Sequence, residues 1–267
     1  MSAVEIISGP AAEPLSRDEA KAHLRVETFA DDALIDALIT AAREWLEADT
    51  GRDLVLHRRR LVRDCFPALI TAPIRLPRPP ARGVVSITYY DGAGVAQTWP
   101  ASSYQLDRVA MPARILPAYG VFWPSTQSGR VNAIELIYRS GHLVPFTADA
   151  TTNTLSATDH PLANGDVVRL SNSGGLLPAP LNRLTDYYVV NASATTLQLA
   201  ASAGGGALDL TTTGAGLNFL GALPGALHQA MLALIAYFYE HREAELAVAP
   251  AQIASLIAPY RIMRSHE

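Results

Sequence analysis

Apolar residues recur with helical spacing near both ends of this chain and with strand spacing between them. Ser16 precedes Glu19 by three residues in "LSRDEAKAHLRV", the spacing of a capping box, in which the two side chains satisfy free backbone amides of the first turn. The short helix so started turns Leu15, Ala20 and Leu24 inward. "DDALIDALITAAREWLEADTG" predicts a longer helix, capped by Asp31 or Asp32 and stopped by Gly51. Its Leu34, Ile35, Leu38, Ile39, Ala42, Trp45 and Leu46 make one apolar stripe, and Asp36, Arg43, Glu44 and Glu47 fall on the opposite face. Towards the other end, Leu227, Ala230, Met231, Leu234, Ile235 and Phe238 line one side of "GALHQAMLALIAYFYEHREAE". Pro259 breaks the final segment, "AQIASLIAPYRIMRSHE".

From Arg52 the period changes to two. "DLVLHRRRLVRDCF" reads as extended, and Asp91-Gly92 between two strand-like runs is a hairpin signal. "SSYQLD", "ARILP" and "NAIELIYRS" add short strands, while Pro77, Pro79 and Pro80 confine their segment to an edge or a connection. From about Pro145 to about Leu220 charges thin out, and Thr, Asn, Ser, Ala and Gly dominate. Strands are expected at "TLSAT", "DVVRL", "DYYVVNA", "TLQLA" and "ALDLT", with turns at Asn164-Gly165 and Gly174-Gly175, the spacing of a compact barrel or sandwich. The fold class is therefore α+β. A helical domain with a small antiparallel sheet, residues 1–146 and 219–267, is expected to host an all-β domain, residues 147–218, in one loop.

Composition narrows the function. The 267 residues are 49 % hydrophobic and 17 % charged, enough apolar matter for a buried core. A net charge of −4 lacks the basic excess of proteins that grip nucleic acid. One cysteine, Cys65, excludes an internal disulfide framework, and it is expected to be a small buried side chain. "MSAVEIISGPAAEP" has neither a basic start nor a long apolar core, so no secretory signal is expected. The longest apolar run falls well short of the ~20 residues of a membrane span, and no membrane partner is expected.

Candidate chemistry is sparse. The seven histidines form no pair at metal-ligand spacing, and His241 with Glu243 reads as a solvated helix end. The glycine clusters lack the lysine of a phosphate loop, no serine sits in a nucleophile elbow, and Asp31-Asp32 marks a helix start. Neither an enzyme nor a cofactor is expected. The most charged feature is "HRRRLVR". As a strand it sends Arg58 and Arg60 to one face and Arg59 and Arg63 to the other, as a solvated edge or as contacts to an acidic neighbouring subunit or to DNA phosphates.

"PLSRDEAKAHLRVETFADDALIDALITAAREWLEADTGRDLV", "LPRPPARGVVSITYYDGAGVAQTWPASSYQLD", "ARILPAYGVFWP", "NAIELIYRSGH" and "LPGALHQAMLALIAYFYEHREA" follow one another in order. Together they resemble the head–tail connector, or adaptor, proteins of long-tailed bacteriophages and gene transfer agents. The paired helices with Trp45, the "RPP" segment and the helix ending in "YEHRE" carry most of the likeness. Typical members run from the "Y-x-x-G" strand end almost directly into the proline-initiated helix. Here Tyr138 and Gly141 are separated from Pro224 by the β-rich stretch. The resemblance implies a ring of twelve copies beneath the portal at the capsid vertex, within the neck of a virion assembled in the bacterial cytoplasm. Double-stranded DNA would pass through it without sequence recognition, and the next neck, stopper or tail protein would dock below. It also implies that the C-terminal segment, with Tyr260, Arg261 and Arg264, contacts the portal. A binding or display protein, whose β module recognises a glycan through Tyr187 and Tyr188 or recognises another protein, is the alternative from a different class.

Overall fold

A computed structural model describes residues 2–241 and 250–262. The fold is α+β, and packing divides it into two compact units: Met1–Pro10 with Gly51–Gly141, and Ala11–Thr50 with His142–Glu267.

The first unit is a sheet domain. Its strands are β1 (Ser2–Ser8), β2 (His57–Arg63), β3 (Ile74–Arg75), β4 (Ala81–Tyr90), β5 (Ala96–Thr98), β6 (Tyr104–Asp107), β7 (Arg114–Pro117) and β8 (Ile134–Ser140). They form a five-stranded antiparallel sheet in the order β1-β2-β8-β4-β5 and a three-stranded one in the order β3-β7-β6. β4 and β5 make the expected hairpin, because the Asp91 carboxylate accepts hydrogen bonds from the amides of Ala93 and Val95, both at 3.0 Å. Alternation along β2 and β8 turns Leu61, Leu136 and Tyr138 into a core shared with Ile87, Ile74 and Ile115. An aromatic cluster closes that core: Phe66 stacks on Trp123 with centroids 5.3 Å apart, and Trp99 lies 5.1 Å from Trp123. The proline segment runs as a connection between β3 and β4.

In the second unit α1 (Arg17–Leu24) and α2 (Asp32–Thr50) pack with α3 (Gly225–Glu240), and α4 (Ala251–Ile257) packs on α3. Ser16 caps α1, accepting from the Glu19 amide at 3.2 Å. The stripe of α2 contributes Ile35, Ile39, Ala42 and Leu46 to the interior, and α3 contributes Leu227, Ala230, Met231, Leu234 and Ile235. The polar side of α2 departs from expectation. Arg43 and Glu47 are buried, and the Arg43 guanidinium donates to Glu13 at 2.8 Å and to Glu47 at 3.1 Å. Glu13 comes from outside the helix, so helical periodicity alone could not place this interior ion pair.

The same unit holds β9 (Val144–Asp149), β10 (Thr154–Ser156), β11 (Val167–Val168), β12 (Leu170–Ser173), β13 (Tyr187–Val190), β14 (Thr196–Ala200) and β15 (Leu217–Leu220). They pair among themselves in the order β11-β13-β14-β10-β9-β15-β12, every pair antiparallel. The two ends of that order, β11 and β12, are joined in the chain through Arg169 alone, so the sheet curls into a nearly closed barrel. "DVVRL" thus splits between two strands, and "ALDLT" forms none. Leu155, Val189, Leu197, Leu199 and Phe219 fill the interior.

Candidate functional site

β2 carries the arginines. It lies between β1 and β8, so it is an internal strand and the reading of "HRRRLVR" as a solvated edge is corrected. The run was hard to place because its second partner, β1, lies fifty residues upstream. Alternation does separate the side chains. Arg59 turns inward, 5 % exposed, with its Nε 2.6 Å and its Nη2 2.5 Å from the Asp53 carboxylate, which also accepts from Ser140. Arg59 is therefore committed to an internal carboxylate and offers no charge to a neighbour. Arg58 and Arg60 occupy the other face, where Arg58 stands opposite Arg139 in register. Arg60 bridges Glu5 of β1, at 2.5 Å, and Glu135 of β8, at 3.3 Å, which aligns three strands by charge. Arg63 is half-buried at the end of the strand. Nearby, the Arg130 guanidinium lies 3.4 Å from the centre of the Tyr90 ring and completes a polar cleft with Arg60, Glu135 and Asn132.

In the second unit, α4 runs into a turn containing Pro259 and Tyr260. Arg261 forms a two-pronged pair with Asp49 at the end of α2, at 2.8 and 3.0 Å, and the Ile262 amide donates to the Thr50 carbonyl at 2.9 Å. Tyr260 is half-buried and Arg261 exposed. Arg264 and Glu243 lie outside the described residues. His241 stacks on Tyr237, centroids 4.4 Å apart. Of the two tyrosines weighed for sugar stacking, Tyr187 is buried within the barrel and Tyr188 half-buried. Cys65 is exposed, contrary to expectation, because β2 ends before it and the chain bends there.

A polar network anchors α1 and α3 to the barrel. Glu19 accepts from Ser173 of β12 and from His228 of α3, the latter at 2.9 Å, while the Ser16 amide donates to the Ser173 hydroxyl at 2.7 Å. Burial pushes the Glu19 carboxyl up. The hydrogen bonds from His228 and Ser173, with the charges of His228 and Arg183, outweigh it and hold the group below its ordinary value. A carboxyl depressed in the folded state adds stability above its unfolded value and loses it as pH falls through the folded value. The melting temperature is expected to fall on acidification from about pH 5 to about pH 3, and Glu19→Gln to show a flatter acid limb. Equal acid limbs for both proteins would show that Glu19 takes no part.

Residues 17–90 match the family described as "Phage gp6-like head-tail connector protein", a span from α1 to the end of β4. The resemblance drawn from the sequence is thus found in the two N-terminal helices and the first strands. Solved chains from gene transfer agent particles share the fold over nearly the whole length. One, in the virion of a native particle, is 20 % identical and covers 98 % of this chain and 96 % of its own, with a TM-score of 0.56. A second, in the neck of an empty particle computed with C6 symmetry, is 19 % identical over 98 % and 97 %, TM-score 0.57. A third, in the neck of a native particle computed with C12 symmetry, is 18 % identical over 98 % and 97 %, TM-score 0.54. No curated protein matches the sequence.

Proposed function

We propose that this chain is a head–tail adaptor: a structural, non-catalytic neck protein that forms a ring, twelve-fold, between the portal and the next neck or tail protein. The observation that carries the reading is the coincidence of a connector-family match in residues 17–90 with a fold that corresponds along 98 % of the chain to chains of a particle neck. Residues 1–146 and 219–267 are the adaptor proper in this reading, and residues 147–218 are a passenger that stands on the outside of the ring. The separate pairing of β9–β15 supports a distinct β module, since none of those strands shares a sheet with β1–β8, and β9 and β15 carry it a few residues past both bounds, to Val144 and Leu220. A net charge of −4 suits a channel that lets DNA pass without holding it. Arg58, Arg60 and Arg63 remain as charges for subunit contacts or for the channel, and Tyr260, Arg261 and Arg264 as the portal contact. The virion neck is the expected location, with assembly in the bacterial cytoplasm.

Immunogold electron microscopy of particles from the producing cell tests the proposal. Label is expected at the junction of head and tail, and cells lacking the chain are expected to accumulate unjoined heads and tails. Label at the tail tip or over the capsid surface would reject it.

A further inference from the structure

β1 stands apart from the rest of its sheet. The chain enters the first unit for residues 1–10, folds residues 11–50 into the second, and returns at Gly51. Within β1, Ala3, Glu5, Ile6, Ile7 and Ser8 are exposed, and Val4 packs against the core. The strand is held by backbone pairing to β2 and by the Glu5–Arg60 ion pair, with little buried side-chain area. Beyond it Gly9 has open space where a side chain would stand.

Two features need an explanation that a lone chain does not supply. Edge strands usually carry proline, lysine or other guards against pairing; this one reads "SAVEIIS", and its guards are the single charge of Glu5, already paired with Arg60, and a register shift between Ile6 and Ser8. Ile6 is also 56 % exposed and Ile7 48 %. Both features suit a strand that lies on a seam between subunits.

We infer that β1 is an exchangeable arm: in the ring, Ser2–Ser8 of one copy pairs with β2 of the next. This rests on the proposed ring. The occupant is a second copy of this chain because only another copy supplies the strand whose register β2 already accepts. Exchange keeps every backbone hydrogen bond and the Glu5–Arg60 pair, so it costs little, and the seam covers Ile6 and Ile7. A ring gains from it, because each link is held by its neighbours at high effective concentration.

Directly opposed residues of an antiparallel pair lie within the Cα separation of a disulfide. Glu5 and Arg60 are such partners, as are Ala3 and Val62. With the single native cysteine removed (Cys65→Ser), the double change Glu5→Cys and Arg60→Cys is made in particles and the rings are oxidised. The denatured chains are then sized without reductant. A ladder of linked chains is expected from rings, and single linked chains from dilute unassembled protein. Rings that yield only single chains overturn the arm. Absence of rings by microscopy overturns the adaptor reading first, and is seen before any gel is run. Should the Glu5–Arg60 variant fail to fold, Ala3→Cys with Val62→Cys gives the same readout away from the ion pair.

Discussion

Asp53→Ala is expected to destabilise the sheet unit by about 3–5 kcal/mol, the cost of removing one member of a buried ion pair. Asp53 is fully buried and accepts from Nε and Nη2 of Arg59 and from the Ser140 hydroxyl. Alanine removes that carboxylate from both Arg59 and Ser140 in a site with little water to replace it. Asp53→Asn, which keeps the shape and one acceptor, is expected to cost less. Replacing both partners with apolar residues, Asp53→Leu with Arg59→Met, is expected to cost less than Asp53→Ala alone, because no uncompensated charge remains. Urea denaturation measures all three. A loss under about 1 kcal/mol for Asp53→Ala, the scale of a surface pair, would show that the pair is hydrated.

Gly141→Ala is expected to cost more than the ~1–3 kcal/mol of backbone strain alone. Gly141 has φ +139°, and a Cβ there would stand 2.3 Å from the Val55 carbonyl oxygen and 2.5 Å from its carbon. Both are backbone atoms and cannot swing aside. The Arg82 guanidinium, donating to the Gly141 carbonyl at 2.7 Å, further limits any shift. Gly120 is the control: its φ is +76°, but nothing lies within 4 Å of a Cβ built there, so Gly120→Ala carries only the conformational cost. Thermal melts of the two variants compare the effects directly. Equal losses would mean that the Val55 approach relaxes freely.

Much of the framework was legible because local chemistry reported it. Ser16 marked the start of α1 through its cap, although the Glu19 carboxylate expected to close the box turns to Ser173 and His228 and the Ser16 amide goes to Ser173. Gly51 followed α2, and Asp91-Gly92 announced the hairpin through hydrogen bonds made within five residues. The Thr- and Asn-rich stretch was readable as a separate run of strands, and those strands do pair only with one another. The elements that spacing does not reveal have distant partners in common. β1 is one, because "AVEIIS" is too short to show a period and its pairing depends on β2. "HRRRLVR" looked like a solvated edge because neither Glu5 nor Asp53 could be assigned to it from spacing. β9 and β15 were missed in part because each needs the other, seventy residues away, before it is a strand.

The sequence by itself determined where the helices and the Asp91-Gly92 hairpin start and stop, which face of each helix is apolar, and that most strand-forming segments lie between helical ones. Those properties depend on the spacing of side chains along a helix or strand and on hydrogen bonds closed within a few residues. Tertiary structure decided which charges went inside: Arg43 beside Glu13 and Glu47, Arg59 beside Asp53. It also decided the strand order and the curl that brings β11 and β12, the two ends of one sheet, together. A buried charge or an unpaired strand edge is tolerable only when its partner arrives, and these partners come from other segments of the chain, which spacing along one segment does not encode.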